Sequence, residues 1–503
     1  MTFRAAAVFG DHMVLQRGTP VPVWGQAAPS AKIHCFLSGD HWGNGSIART
    51  RADDRGQWEL RLPALSAGGP YTLTLRCGKR KVIFSDVYVG DVWLAGGQSN
   101  MELALIGSRD GAAAVAACND PRLHFYETPK VTTPEQAAQA QSGWQVLSPE
   151  TAARVSAVAY YAAREIAQSQ NIHVGILECF WGGTFAHCWM PRSLLTQFPE
   201  GRIDWYDAQI GDKTDAEFDA QCREYQTRVD DWNQRIADRR TAQPDVSWAV
   251  LNRECGLFPW PPPAGRTAYQ RPGNLYESML RQICPYGIRG FWFYQGCQDE
   301  PWPQDYGALL RNLVRRWRAD WNDPEGELPF LLVQLPMYDT EFPGSWPITR
   351  AAQSEIAHTE PNAGLVVLAD CGEADNIHPT DKQTPGRRLG LLALDMVYRR
   401  PVIGRSPEVD SVSYQGSVVT VRFSHTGGGL KLRGKHEGFQ LAGKDGAFHN
   451  AAAVLLSPDT VRLRSPEVPA PVAARYAWEN FCRADLHGGT GLAAAPFLNI
   501  KGE

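Results

Sequence analysis

Apolar and polar positions change their rhythm three times along the chain. Over residues 1 to about 85, "TPVPVWGQ" and "QWELRLPAL" place apolar residues at near-alternate positions, and "ADDRGQW" supplies a glycine-bearing turn. This predicts half-buried strands and a small N-terminal β-sandwich. From about 86 to 400 the runs become short and nearly continuous: "DVWLAGG", "HVGILECFWGG", "RGFWFYQG", "PFLLVQLP" and "AGLVVLAD". Such runs suit strands covered on both faces. Helical periods lie between them. "SAVAYYAAREIAQSQ" is one, and "DYGALLRNLVRRWRADW" sets Leu309, Leu310, Leu313, Val314 and Trp317 on a single face. Strand alternating with helix predicts parallel crossovers, hence an α/β fold with a three-layer α/β/α sandwich over 86–400. Within it, residues from about 195 to 270 break the alternation: a polar helical stretch, "DAEFDAQCREYQTRVDDWNQRIADRR", precedes "LFPWPPPAGR", whose prolines preclude regular helix. They are expected to form an inserted helical arm with a Pro-rich return, either a lid over the sheet end or a peripheral packing element. Over 401–503, "SVVTVRFSH", "GFQLAG" and "DTVRLRS" predict a C-terminal β-domain.

Composition narrows the partners. The 503 residues carry a formal net charge of -4, so no basic field exists to attract nucleic acid or anionic lipid. No stretch approaches the ~18 consecutive apolar residues of a membrane span. Eleven cysteines without a CxxC spacing argue for mostly buried thiols rather than a disulfide framework or a structural zinc site. The amino end, "MTFRAAAVFGDHMVLQRG", has too short an apolar region for a leader and is interrupted by Asp11 and His12. The expectation is a cytoplasmic protein, or a periplasmic or secreted one whose leader has been trimmed. Seventeen tryptophans supply flat faces that pack in cores and also stack on sugar rings.

The candidate chemistry starts at "GDVWLAGGQSNMELAL", residues 90–105, where a strand-like run passes through paired glycines into Ser99. Ser99 either caps the helix that follows or is a nucleophile at a strand end, with first-turn N–H groups ready for an oxyanion. In parallel sheets reactive groups gather beyond the carboxyl ends of strands, and Ser99, Gly183, Gly296 and Asp370 all fall there. That coincidence favours the nucleophile. His378 stands out as a base because Asp375 precedes it by three residues; on a turn or nascent helix the two side chains share a side. An exposed Asp and His on a polar loop is the alternative. Lys382, Arg387 and Arg388 read as surface charge. Trp181 and Trp302, beyond strand ends, and Trp346 are candidates to line a sugar site, while Trp292 reads as core.

Serine followed late in the chain by Asp-x-x-His resembles the order in SGNH (GDSL-like) hydrolases. More closely, "GDVWLAGGQSNMEL", "WGGTFAHCW", "PGNLYESML", "PYGIRGFWFYQG" and "DNIHPTDKQTPGRRLG" are similar to the sialate O-acetylesterase family in order and spacing. "HMVLQRGTPVPVWG", "DDRGQWELRLP" and "RYAWENF" resemble its β-domain segments. The resemblance implies an SGNH-type α/β/α catalytic domain that hydrolyses O-acetyl esters, most simply the 9-O-acetyl groups of sialic acid, through an acetyl-serine. It makes Ser99 the nucleophile, His378 the base and Asp375 its orienter. The oxyanion donors would be the N–H groups of Ser99, Gly183 and Gly296, with Gln295 as a further candidate. Gln98, Trp181, Trp302, Asp299 and His187 are candidate substrate contacts. No metal or organic cofactor is required. Three departures stand out. The third block reads Gln295-Gly296-Cys297-Gln298-Asp299 where the family has Gln-Gly-Glu-x-Asn, His187-Cys188 replaces Glu-Ala, and Glu277 stands where Asn is common. An ionised Asp299 cannot donate to an oxyanion. Deacetylation of xylan or another plant polysaccharide therefore stays open, as does a carbohydrate-binding relative without catalysis.

Overall fold

The five near-continuous runs are strands of one sheet. The computed structural model describes residues 3–39, 46–198, 202–243, 246–434 and 438–502. In it, β1 (Arg80–Gly97), β2 (Leu123–Glu127), β3 (Trp144–Val146), β4 (Val174–Phe180), β5 (Gly290–Tyr294), β6 (Phe330–Val333) and β7 (Ala363–Val366) lie in the order β3-β2-β4-β1-β5-β6-β7. All neighbours run parallel except the edge strand β3, which is antiparallel to β2.

Alternate side chains along each strand enter opposite layers, as strand geometry requires. Leu94, Phe291 and Phe293 join a core with Leu313 and Trp317 of α6 (Pro303–Asp320) and Ile356 of α7 (Ser345–Thr359). Trp93, Ala95 and Trp292 pack instead with Val158 and Ile166 of α2 (Ala157–Gln170) and Leu389 of α8 (Gln383–Met396). Helices thus cover both faces. The stripe expected on α6 is real: Leu309, Leu310, Leu313, Val314 and Trp317 are all fully buried. Cutting one of these leucines to alanine costs about 2–5 kcal/mol in such settings.

The expected boundary at 85/86 falls inside one strand. The first half of β1 pairs antiparallel with Gly68–Cys77 of the N-terminal domain, and its second half, Asp91–Gly97, pairs with β4 in the parallel sheet. A buried carboxylate, Asp91, and a more exposed one, Asp370, tie the flanking β segments to this frame. Asp91 accepts from Gln16 (2.9 Å), from both ends of the Arg17 fork (3.0 and 2.9 Å) and from the Tyr398 hydroxyl (2.8 Å). Asp370 receives two bonds of 2.7 Å from Arg388, and His487 of the C-terminal domain lies 3.3 Å away. A buried charge held by several donors is costly to break from one side only.

The arm contains α3 (Arg202–Ile210), α4 (Asp215–Ala242) and α5 (Trp248–Cys255). A Thr214–Glu217 capping box starts α4. Trp232, Ile236, Val246, Leu251 and Cys255 give the arm a small core of its own. The C-terminal domain has two four-stranded antiparallel sheets around Val421, Phe423, Leu441, Val461 and Tyr476. Among the described residues no helix is long and apolar enough to cross a membrane, no disulfide joins the cysteines, and most of them are buried.

Candidate active site

Strand β1 ends at Gly97, whose φ of +132° and close approach to β5 leave no room for a side chain: a Cβ would lie 2.2 Å from the Tyr294 carbonyl oxygen. The chain then turns into the short helix α1 (Ser99–Glu102). Gln98 occupies the cap position and Ser99 is the first helical residue, so the capping alternative for Ser99 does not hold. Its hydroxyl instead lies 2.8 Å from His378 Nε2.

His378 comes from the loop between β7 and α8, and that loop is closely tied. Asn376 accepts from the His378 N–H (3.0 Å) and donates to the His378 carbonyl (2.9 Å) and to Glu373 (2.9 Å). Asn100, beside the serine and fully buried, donates to the Ile377 carbonyl at 3.0 Å. Lys382, also buried, donates to Asn100 Oδ1 at 2.5 Å. Lys382, Asn100 and Ile377 therefore bridge the serine turn and the histidine loop. Burial, helped by the Lys382 charge, pulls the His378 imidazole down to about 4. At neutral pH the ring is unprotonated and can accept a proton. Burial also pulls the Lys382 ammonium down to about 7. Lys382 and Arg388, read from the sequence as surface charge, are both interior.

Asp375 is placed differently from expectation. It is exposed, and no hydrogen bond joins it to the His378 ring among the described residues. The cause is local: Glu373 and Asn376 bridge across the chain, so Ala374 and Asp375 form a turn tip pointing outward. A helical turn would have put positions 375 and 378 together; this tight reversal does not.

The four expected oxyanion donors also divide. The turn Trp181–Gly183 abuts the serine, since a Cβ on Gly182 would lie 3.3 Å from Ser99 Cβ. The Gly182 N–H donates to Glu102, which also pairs with Lys130, and this holds the turn against α1. The backbone N–H groups of Ser99 and Gly183 carry no hydrogen bond among the described residues. Gly296 N–H is committed to Gln98 Oε1 at 3.0 Å. The Gln295 amide is committed to the Thr184 carbonyl (3.2 Å) and to Asp299 (2.6 Å). Gln98, expected to meet substrate, is buried and holds the third block instead.

A family model described as carbohydrate esterase, sialic acid-specific acetylesterase, matches residues 253–393. The sialate O-acetylesterases of Mus musculus and Homo sapiens are 24% and 22% identical to the chain, over 79% of it and 74% and 71% of their own lengths. A carbohydrate acetylesterase of known structure from Xanthomonas citri is 30% identical, with a TM-score of 0.78 and 99% of each chain covered. The chain belongs to the sialic acid-specific acetylesterase family. It is a carbohydrate esterase, and an O-acetylated carbohydrate is its implied substrate.

Within this esterase the three departures resolve into structure. Asp299 is fully buried, paired at 2.6 Å with Arg202 of the arm and accepting from Ala186 N–H (2.9 Å) and Gln295. It therefore ties the third block to the arm and does not face a substrate hydroxyl. Arg202 lies over the Trp302 ring, 4.9 Å from its centroid. His187 is likewise interior, stacked on Phe185 at 4.7 Å, and burial drives its pKa well below the usual histidine range. Glu277 is exposed. Of the sugar-site candidates, Trp346 is core, as Trp292 is. Trp181 and Trp302 are partly exposed; Trp181 stacks on Tyr269 at 4.7 Å and Trp302 meets Trp205 edge-on at 4.7 Å. Asn100 and Arg202 were missed, because polar residues carry no sign in a sequence that they are interior, and Glu102 was missed because its partners, Gly182 and Lys130, lie far away in the chain.

Proposed function

We propose that the esterase works through an acetyl-serine, with Ser99 as nucleophile and His378 as general base and then acid, on an SGNH-type sheet. The observation that carries this reading is the 2.8 Å contact of Ser99 Oγ with an imidazole held neutral by burial, beside two backbone N–H groups without partners among the described residues. As Ser99 attacks the ester carbonyl, His378 takes the hydroxyl proton, and the N–H groups of Ser99 and Gly183 receive the developing oxyanion. Collapse expels the sugar oxygen, which His378 protonates. Water then attacks the acetyl-serine with His378 again as base, releasing acetate. A carbohydrate-binding relative without catalysis would have no use for the Ser99–His378 contact.

The 9-O-acetyl group of sialic acid is the first substrate reading, after the name the family carries. A second, an acetylated neutral polysaccharide such as xylan, is favoured by the charges around the site. Lys130 is paired with Glu102, Arg202 with Asp299 and Arg388 with Asp370, so these cations are already matched. A screen of acetate release from O-acetylated sialic acid and acetylated xylan, with Ser99→Ala as control, tests both. Release that persists in Ser99→Ala would remove the mechanism; the preferred sugar decides the substrate.

A further inference from the structure

The Pro-rich return of the arm, residues 256–265, is anchored at both ends. The Trp232 indole donates to the Gly256 carbonyl at 2.8 Å, and Phe258 packs edge-on against the Trp232 ring at 5.2 Å. At the other end Lys213 donates to the Ala264 carbonyl at 2.7 Å, and the Tyr206 hydroxyl meets the Gly265 backbone at 3.3 Å. Between these anchors lies Trp260, and its benzo edge rests on Gly183: a Cβ there would come 2.5 Å from Trp260 Cη2. Gly183 has φ +67° and one of the two unpartnered N–H groups beside Ser99. Trp260 nonetheless remains 43% exposed.

A tryptophan held only for packing has no reason to keep so much of its ring in water while the segment carrying it is fastened at both ends. The exposed remainder is an aromatic face already ordered, so a ligand stacking on it incurs little further entropy loss. The acetyl carbon must sit at Ser99 with its oxygen toward Gly183, so the indole resting on that glycine borders the bound ester and can meet a substituent that extends from the attacked carbon along this side of the site.

Taking the acetyl-serine reading as its basis, we propose that Trp260 is a substrate-binding residue, a stacking platform for the sugar ring that bears the scissile acetyl group. The apolar C–H face of a pyranose lies flat on such a ring. The arm is thus a specificity element, built to bring one indole to the oxyanion turn from outside the α/β core.

The test compares Trp260→Leu, which keeps apolar bulk but removes the flat face, with Trp260→Tyr, which keeps a flat face. O-acetylated sialic acid and O-acetylated xylo-oligosaccharide are the sugar probes, and ethyl acetate is the reference ester without a ring. On whichever sugar the unmodified enzyme cleaves better, Trp260→Leu is expected to lower kcat/KM about tenfold or more through KM, equivalent to about 1.4 kcal/mol. Trp260→Tyr should stay within about threefold, and both within about twofold on ethyl acetate. An unchanged sugar KM in Trp260→Leu overturns the proposal, and so do losses of equal size on sugar and ethyl acetate. Failure of the unmodified enzyme to release acetate from either sugar or from ethyl acetate would instead sink the acetyl-serine reading itself, before any Trp260 variant is compared.

Discussion

At the amino end of the central sheet His124 Nε2 lies 2.9 Å from His173 Nδ1; at the carboxyl end His378 Nε2 lies 2.8 Å from Ser99 Oγ. Burial depresses the rings at both ends, His124 to about 3, His173 to about 4 and His378 to about 4. By short contact and shifted titration alone the two sites look alike. Their surroundings separate them. The Tyr88 ring covers His173 at a centroid distance of 3.7 Å, and the partner across the hydrogen bond is another imidazole. At the carboxyl end the partner is a hydroxyl at the start of a helix, with a glycine turn beside it. Parallel strands hand over to helices amino-end first, so N–H groups converge at that edge only. A perturbed histidine marks a reactive site when donors for the developing charge are present as well.

The comparison can be broken from either end. The largest effect is expected for Ser99→Ala, which should lower acetate release by roughly a thousandfold or more with little change in thermal stability. His378→Ala should follow closely, since nucleophile and base act as a unit and their losses do not add. Asp375→Asn should cost less, roughly ten- to a hundredfold, because no fixed bond to the ring is lost; a loss as large as that of His378→Ala would contradict the turn-tip placement.

Lys382→Met should be read in the pH profile. His378 must be neutral to act as base, so kcat/KM falls on the acid side as pH drops through its pKa, at about 4. The Lys382 ammonium disfavours the imidazolium beside it, and the carboxylates of Glu373 and Asp381 favour that ammonium. Removing the ammonium raises the His378 pKa, so the acid limb should move to higher pH. A limb that stays in place or moves lower would show that Lys382 does not act on the ring. The smallest effect belongs to the amino end: His173→Gln should leave kcat/KM within about twofold, whatever it does to stability.

What the sequence revealed follows the same physical division. The strands of the sheet were legible because burial on both faces leaves almost no polar residue in the run. The five runs all became parallel strands, whereas β2, with the polar His124 at its second position, was not seen. That Ser99 and His378 would meet was legible because a serine after paired glycines and a late Asp-x-x-His stood at the ends of two of these runs. The place of Asp375 was not, since the Glu373–Asn376 bridge is a matter of backbone register rather than residue spacing. Nor were Lys382 and Asp299 readable as interior. Lys382 is held by Asn100, and the charge of Asp299 is matched by Arg202, both far away in the chain, and no local pattern announces such pairings.

The most direct test of the Ser99–His378 mechanism is covalent labelling with a fluorophosphonate, localised by peptide mass spectrometry. The mechanism predicts one adduct per chain, on the peptide carrying Ser99, formed in step with loss of acetate release and strongly slowed in His378→Ala. Complete inactivation with the adduct on another residue, or full acetate release from a protein labelled at Ser99, would contradict it.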